Sequence, residues 1–99
     1  MSDVTLSDCA SQLQVLSEQS RLEVVRLLLG GPSHVKALQE AIGIEQSLLS
    51  HHLRVLRDAG VVESERDGKS VLYRLSPDLE SRRRGHVIDF GCCRLTFDD

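Results

Sequence analysis

Apolar residues recur every three or four positions in the first part of the chain. Near its start they stand at Leu6, Cys9 or Ala10, Leu13 and Leu16. This spacing predicts an amphipathic helix over about residues 6–16. A second helix is predicted to follow a cap at Ser17 or Ser20 and to end at Gly30-Gly31-Pro32, because glycine and proline are typical of helix C-termini.

Two more helices are predicted on either side of a tight turn. The third follows a cap at Ser33 and ends at Gly43, and the fourth runs from about Glu45 to Ala59. On a helical wheel the fourth helix has one apolar and one polar side. The apolar side carries Leu49, Leu53 and Leu56. His52 lies at the edge of that side, so we expect a structural role in which it bonds backbone near the turn.

Beyond Gly60 the apolar spacing changes to the alternation that is typical of strands. Residues 61–66 and 69–75 flank Asp67-Gly68, which is a strong hairpin signal. Two helices joined by a short turn and followed directly by a hairpin make a winged helix-turn-helix. The sequence therefore predicts an α+β, mostly helical fold whose wing is a two-stranded β-hairpin.

The last part of the chain is predicted to be ordered. Ser76-Pro77 predicts the start of a short helix, and residues 86–97 alternate like a strand, with a phase slip at Gly91-Cys92-Cys93 that predicts a turn or a bulge. Two of the three aromatic residues, Phe90 and Phe97, also lie here. We therefore expect this segment to pack within the chain or across a dimer.

Length and composition indicate one soluble domain. The 99 residues, of which 40% are hydrophobic, suit a single domain spanning 1–99, with a core of about 5–77 and a C-terminal sensing or dimer segment of about 78–99. The longest apolar run is Leu27-Leu28-Leu29, so no membrane span is expected. The N-terminus has neither a basic start nor an apolar signal core, which favours a cytoplasmic location.

The polar side of the fourth helix suits the major groove of DNA, which admits a helix and presents a distinct pattern of donors and acceptors. Arg54 can reach a guanine or a phosphate, and Arg66 and Lys69 bracket the tip of the wing. The net charge of −3 disfavours non-specific binding, so contacts are expected to be local. The predicted DNA-binding residues are Gln46, Ser47, Ser50, His51, Arg54, Arg66 and Lys69.

Several runs together resemble one family of bacterial repressors. They are Ser20-Arg21-Leu22, the stretch SLLSHHLRVLRDAGVV at 47–62, Arg66-Asp67-Gly68-Lys69 and Tyr73-Arg74-Leu75. Over roughly residues 5–77 the chain resembles the ArsR/SmtB family. The resemblance implies a homodimer that binds an inverted-repeat DNA operator without a cofactor and releases it when an inducer binds. Inducers in the family are metal ions, metalloids, or oxidants and sulfur species that act on thiols.

The chain departs from the best-known metal sensors of that family. The helix before the turn reads HVKALQE at 34–40, without the Cys-x-Cys of one group, and the segment after Pro77 has a single histidine, His86. We expect both of those metal sites to be absent. Cys92 and Cys93 instead resemble the vicinal cysteine pair that some members carry near the C-terminus and that responds to trivalent arsenic.

Adjacent thiolates can hold one large soft ion, and arsenite and antimonite prefer three sulfurs. Cys9 could supply the third sulfur to Cys92 and Cys93, from the same subunit or from the other one. Four arginines close in sequence would favour the thiolate form. They are Arg82, Arg83, Arg84 and Arg94.

Other functions remain open for the cysteines. Two adjacent cysteines can form a disulfide, pair with Cys9, or carry a sulfenic acid or a persulfide, which would make the protein a redox or sulfur-species sensor. Free cysteines also occur as inert buried residues. A cysteine-dependent enzyme is disfavoured because Cys92-Cys93 precede Arg94 and a strand-like run rather than a helix. A winged helix that only binds protein would not need the polar helix face beside a basic hairpin tip.

Overall fold

The computed structural model describes residues 5–98, and residues 1–4 and 99 lie outside that range. The helices are α1 (Leu6–Leu16), α2 (Gln19–Leu28), α3 (Val35–Ile42), α4 (Gln46–Asp58) and α5 (Pro77–Arg82). The strands are β1 (Ser33–His34), β2 (Val62–Asp67), β3 (Ser70–Leu75), β4 (Arg83–Arg84), β5 (Val87–Asp89) and β6 (Arg94–Thr96). None of the described helices is long and apolar enough to cross a membrane.

The caps of the first two helices are local side-chain bonds. The Thr5 hydroxyl accepts from the Asp8 amide at 3.0 Å and starts α1. The prediction that Ser17 or Ser20 caps α2 is wrong, because the Glu18 carboxylate accepts from the Arg21 amide at 3.1 Å instead. The junction between the first two helices thus supplies Glu18 as the N-cap of α2.

The turn and the wing follow the predicted order. Gly43 ends α3 with a φ of 75°, in the left-handed region that glycine tolerates best. Strands β2 and β3 pair in register from Val62↔Leu75 to Asp67↔Ser70, so the tight turn is Gly68-Lys69, one position later than predicted. The wing also has a third strand that the sequence did not predict, because β1 pairs with β3 through Ser33↔Tyr73.

The core lies between α2, α4 and the base of the wing. Leu49, Leu53 and Leu56 of α4 are each at most 1% exposed, which confirms the predicted apolar side. Val24 and Val25 of α2 meet them with no exposed surface. Leu6 was predicted on the inner side of α1, but it lies at the helix start and is 81% exposed.

The C-terminal segment packs onto the same core within one chain. Strands β4, β5 and β6 form a small antiparallel sheet, and Gly91 makes the predicted turn between β5 and β6 with a φ of 90°. Ile88 and Phe90 from this sheet have no exposed surface, and Cys9 of α1 is 2% exposed in the same cluster. The sheet therefore covers α1 and completes the core.

We expect Phe90→Ala to lower the free energy of unfolding by about 3–5 kcal/mol, because it removes a fully buried ring and leaves a cavity. Urea denaturation at fixed protein concentration measures this. Leu48→Ala is the matched control, since Leu48 is 45% exposed, and it should cost clearly less. A loss below about 1 kcal/mol for Phe90→Ala would mean that the C-terminal sheet does not belong to the core.

Candidate DNA-binding face and cysteine cluster

The polar side of α4 forms one continuous exposed surface. Its apolar side is buried against α2 and β2, so the opposite side is directed to solvent. Five predicted DNA-binding residues are exposed and line a single surface depression. They are Gln46, Ser47, Ser50, His51 and Arg54.

The N-terminus of this helix carries a negative charge as well as free polar groups. Glu45 occupies the N-cap position without capping the helix through its side chain, and its carboxylate accepts a short hydrogen bond from the Ser47 hydroxyl. Helix N-termini favour anions. At this end of α4, however, a phosphate would compete with the Glu45 carboxylate.

The wing presents two exposed cations at its tip. Arg66 lies on β2 close to the turn, and Lys69 lies within the turn itself. Asp67 between them accepts a 2.8 Å contact from the His34 Nε2 atom at the start of α3. This contact joins the tip of the wing to the start of α3.

His52 is held by two residues from the junction of α1 and α2. Its side chain is 7% exposed. Arg21 Nε donates to His52 Nδ1 at 3.0 Å, and the Glu18 carboxylate lies 3.4 Å from His52 Nε2. His52 is structural, as predicted, but it bonds an arginine side chain rather than backbone near the turn.

This geometry fixes the form of the imidazole. A guanidinium has donors only, so Nδ1 must offer a lone pair and Nε2 carries the proton of the neutral ring. Burial lowers the pKa of His52, Glu18 opposes that shift, and the positive charges of Arg21 and His51 add to it. The lowered pKa favours the neutral ring that accepts from Arg21.

The three cysteines come together within one chain. Cys9 and Cys92 form a disulfide whose Cα atoms lie 6.4 Å apart, and Cys93 is the free thiol. The Sγ atoms of Cys92 and Cys93 are 3.7 Å apart, and all three Sγ atoms lie within 4.8 Å of one another. Cys9 is buried, Cys92 is exposed and Cys93 is intermediate, so the cluster opens to solvent on one side.

The donor set of this cluster is purely sulfur. Within residues 5–98, no other group of three or more histidine, cysteine or acidic side chains is arranged to hold a metal ion. Soft thiolates select soft ions over hard cations. The donor set therefore fits trivalent arsenic or antimony once the disulfide is reduced.

The nearby arginines are largely engaged by carboxylates. Arg82 pairs with Asp78 at 3.2 Å, and Arg94 lies 3.7 Å from Asp89. Arg83 contacts Glu80 and donates to the Leu29 carbonyl at 2.8 Å. That these arginines favour the thiolate form of the cysteines stays a prediction.

Sequence reasoning missed Glu18 and Arg21 as residues that organise the candidate site. Arg21 was noted only as part of a family-like run. Its partner His52 is 31 positions away, and no local spacing connects the two. The signal that the sequence offered was the charged pair of Glu18 and Arg21 at the start of α2, a helix that otherwise packs its apolar side inward.

Comparisons with known proteins agree with this geometry. A model of the bacterial regulatory protein arsR family matches residues 18–64. The transcriptional regulator NmtR of Mycobacterium tuberculosis is 52% identical over 66 residues, or 67% of this chain and 55% of NmtR. The crystal structure of the transcriptional repressor BigR from Xylella fastidiosa is 40% identical with a TM-score of 0.68, covering 73% of this chain and 71% of that chain.

A third similar protein has been solved in solution. It is the homodimeric winged helix-turn-helix DNA-binding domain of a possible ArsR-family regulator from Mycobacterium bovis. It is 27% identical, with a TM-score of 0.67, and the match covers 79% of this chain and 78% of that chain.

The helices, the turn and the three-stranded wing define a winged helix-turn-helix protein. The chain belongs to the ArsR family of bacterial regulatory proteins. NmtR and BigR, the relatives named above, are transcriptional regulators rather than enzymes. The chain spans 52–65% of the length of the curated relatives that it matches.

Acid should destabilise the protein through His52. Its pKa is lowered in the folded state, so the unfolded chain binds more protons below the ordinary value of about 6.5. The stabilisation is therefore complete above pH 6.5 and is lost as the pH falls toward the folded pKa. Urea denaturation at pH 7.5 and pH 5.5 measures the difference.

The pH effect has a matched control among the exposed histidines. His52→Leu should lose less stability than the wild type between the two pH values, whereas His86→Leu, at an exposed position, should behave like the wild type. Equal losses in the wild type and His52→Leu would contradict the assignment of this effect to His52.

Proposed function

We propose that this protein is a homodimeric transcriptional repressor that binds an inverted-repeat operator and releases it when trivalent arsenic or antimony binds Cys9, Cys92 and Cys93. The observation that carries the proposal is the convergence of three sulfur atoms from both ends of the chain. That cluster is built on the first helix of a fold whose fourth helix exposes a polar face.

The DNA-binding part of the proposal rests on side-chain chemistry. Ser47 and Ser50 are short, so α4 can approach base edges closely. Arg54 is long enough to reach a guanine or a phosphate beyond them. Arg66 and Lys69 supply the wing with positive charge where it would meet the DNA backbone.

A dimer fits the symmetry of an inverted repeat, whose half-sites lie about one helical turn apart. The first helix and the C-terminal segment are the proposed interface. Leu6 on α1 is 81% exposed, and Leu95 and Phe97 of the C-terminal segment are only partly buried. Each of these apolar groups would be covered by a second subunit.

The inducer is proposed from the donor set. Arsenous acid exchanges its three hydroxyl groups for the sulfurs of three thiols, whose protons leave with the hydroxyl groups as three waters, so one metalloid needs three thiols close together. The reduced cluster offers three sulfurs and neither imidazole nor carboxylate. A metalloid that binds all three sulfurs would link α1 to the β5–β6 turn.

A second candidate is thiol-based redox sensing, which the Cys9–Cys92 disulfide favours. Two thiols give up two electrons and two protons to hydrogen peroxide, which forms two waters as the disulfide closes. The disulfide withdraws two of the three sulfurs, so the oxidised protein would not bind arsenite through three thiolates.

Arg54→Ala should weaken operator binding by about 1–3 kcal/mol if the guanidinium contacts a base. A mobility-shift titration with operator DNA at fixed salt measures this. Arg26→Ala removes an equal charge from α2, outside both the candidate DNA-binding face and the two segments of the proposed interface, and should leave the affinity nearly unchanged. Unchanged affinity in Arg54→Ala would remove that residue from the DNA-binding face.

Arsenite should lower the operator affinity of the reduced protein by about 10²-fold, which corresponds to about 2.7 kcal/mol of coupling. A mobility shift identifies the inducer: arsenite, cadmium or zinc is added separately with a phosphine reductant present, and peroxide or persulfide is added separately to the reduced protein after the reductant has been removed. Cys92→Ser with Cys93→Ser should abolish the release, and Cys9→Ser should weaken it.

Two outcomes would redirect the proposal. Release by peroxide alone, reversed by reductant, would favour redox sensing. Release of the Cys92→Ser, Cys93→Ser protein by the wild-type inducer would show that the inducer acts elsewhere.

A further inference from the structure

We infer that Arg21 and His52 couple the cysteine cluster to the recognition helix α4, acting as positioning residues that carry the inducer's effect. The inference deepens the proposed function and rests on it. It follows from a continuous series of contacts that starts at Cys9 and ends beside His51 on the exposed face of α4.

The first step runs along α1. Cys9 is 2% exposed and belongs to both the cluster and the helix. Val15 stands six residues further on, about 9 Å along the axis at 1.5 Å per residue. A force on the Cys9 sulfur therefore acts on one end of a rigid element whose other end faces α2.

The second step is a hydrogen bond at the end of that helix. Arg21 Nη1 donates to the Val15 carbonyl oxygen at 3.1 Å. The last four carbonyls of a helix have no partner within it, and Val15 is one of these in α1. Arg21 thus satisfies a group of α1 that the helix itself leaves open.

The third step reaches the recognition helix. The same guanidinium donates through Nε to His52 Nδ1 at 3.0 Å. Glu18, which caps α2, lies 3.4 Å from the other ring nitrogen. Both nitrogens of His52 are therefore held by the α1–α2 junction, and a shift of α1 must either break the bond between Val15 and Arg21 or move the guanidinium that holds the imidazole.

The last step is short. His51 directly precedes His52, about 100° away around α4, and the centroids of the two rings lie 5.6 Å apart. His51 is exposed beside Ser47 and Ser50 on the candidate DNA-binding face. A displacement of His52 thus changes the position of the surface that would contact the operator.

The test separates coupling from binding. Operator affinity and arsenite affinity are measured independently on the reduced protein, and operator affinity is measured again with saturating arsenite. The variants are Arg21→Met and His52→Leu, which remove the donor and the acceptor while retaining apolar bulk. Both should bind arsenite like the wild type, whereas the arsenite-induced loss of operator affinity should fall from about 10²-fold to below about tenfold.

Two further variants distinguish coupling from general damage. Arg83→Met removes another partly buried arginine that donates to a backbone carbonyl, that of Leu29. It leaves the bonds of Arg21 with Val15 and His52 intact and should keep the wild-type response. His52→Asn retains an acceptor near the position of Nδ1 and should restore much of the response that His52→Leu loses.

The imidazole also gives a spectroscopic signature. A long-range proton–nitrogen NMR spectrum of the reduced protein should show His52 protonated at Nε2, and arsenite should shift the Nδ1 resonance. The same shift should be absent from the Cys92→Ser, Cys93→Ser protein.

The outcomes distinguish the two proposals. Full arsenite release in Arg21→Met and His52→Leu, with normal release in the wild type, would overturn this inference and leave the proposed function intact. An equal loss of response in Arg83→Met would also overturn it, because the effect would then not be specific to the contacts through which Arg21 connects α1 with α4. A wild-type protein that binds its operator but does not respond to arsenite would overturn both.

Discussion

The burial of one side of α4 is the constraint on which the rest of the structure depends. Leu49, Leu53 and Leu56 are covered by α2 and by the base of the wing, and complete burial of a leucine contributes about 1.5–3 kcal/mol. Because this side of α4 is held in the core, the opposite side must face solvent. The exposure of a serine, histidine and arginine surface is thus a consequence of core packing rather than a separate feature.

The C-terminal sheet solves a different problem. A chain of 99 residues buries a smaller fraction of its surface than a larger domain does, and the helix-turn-helix alone would leave α1 uncovered on one side. Ile88 and Phe90 fill that space. The turn that follows Phe90 carries Cys92 and Cys93, so the packing that completes the core also brings the cysteines to α1.

The sequence predicted those elements whose period is strong and whose partners are close along the chain. Helix α4 and the wing show such periods, and their residue ranges agree closely with the structure. Strands β1 and β4 have two residues each, which is too short for any period to appear. The contact of Arg21 with His52 spans 31 positions, so only the three-dimensional arrangement reveals it. Likewise, spacing alone left open whether Cys9 joins Cys92 and Cys93 from its own chain, and the structure places all three in one chain.

Because the three sulfurs belong to one chain, each site in a dimer takes all its ligands from a single subunit. Each subunit then carries a complete cluster, so a dimer has two equivalent sites and passes through a half-occupied, asymmetric species as inducer accumulates. If both subunits must change together, occupation of the first site favours occupation of the second, and the dose–response curve steepens toward a Hill coefficient of about two. If each subunit changes alone, the response is graded. In a cluster shared across the interface, the inducer would bridge the two subunits directly. Here the degree of cooperativity depends on how firmly the two subunits are joined.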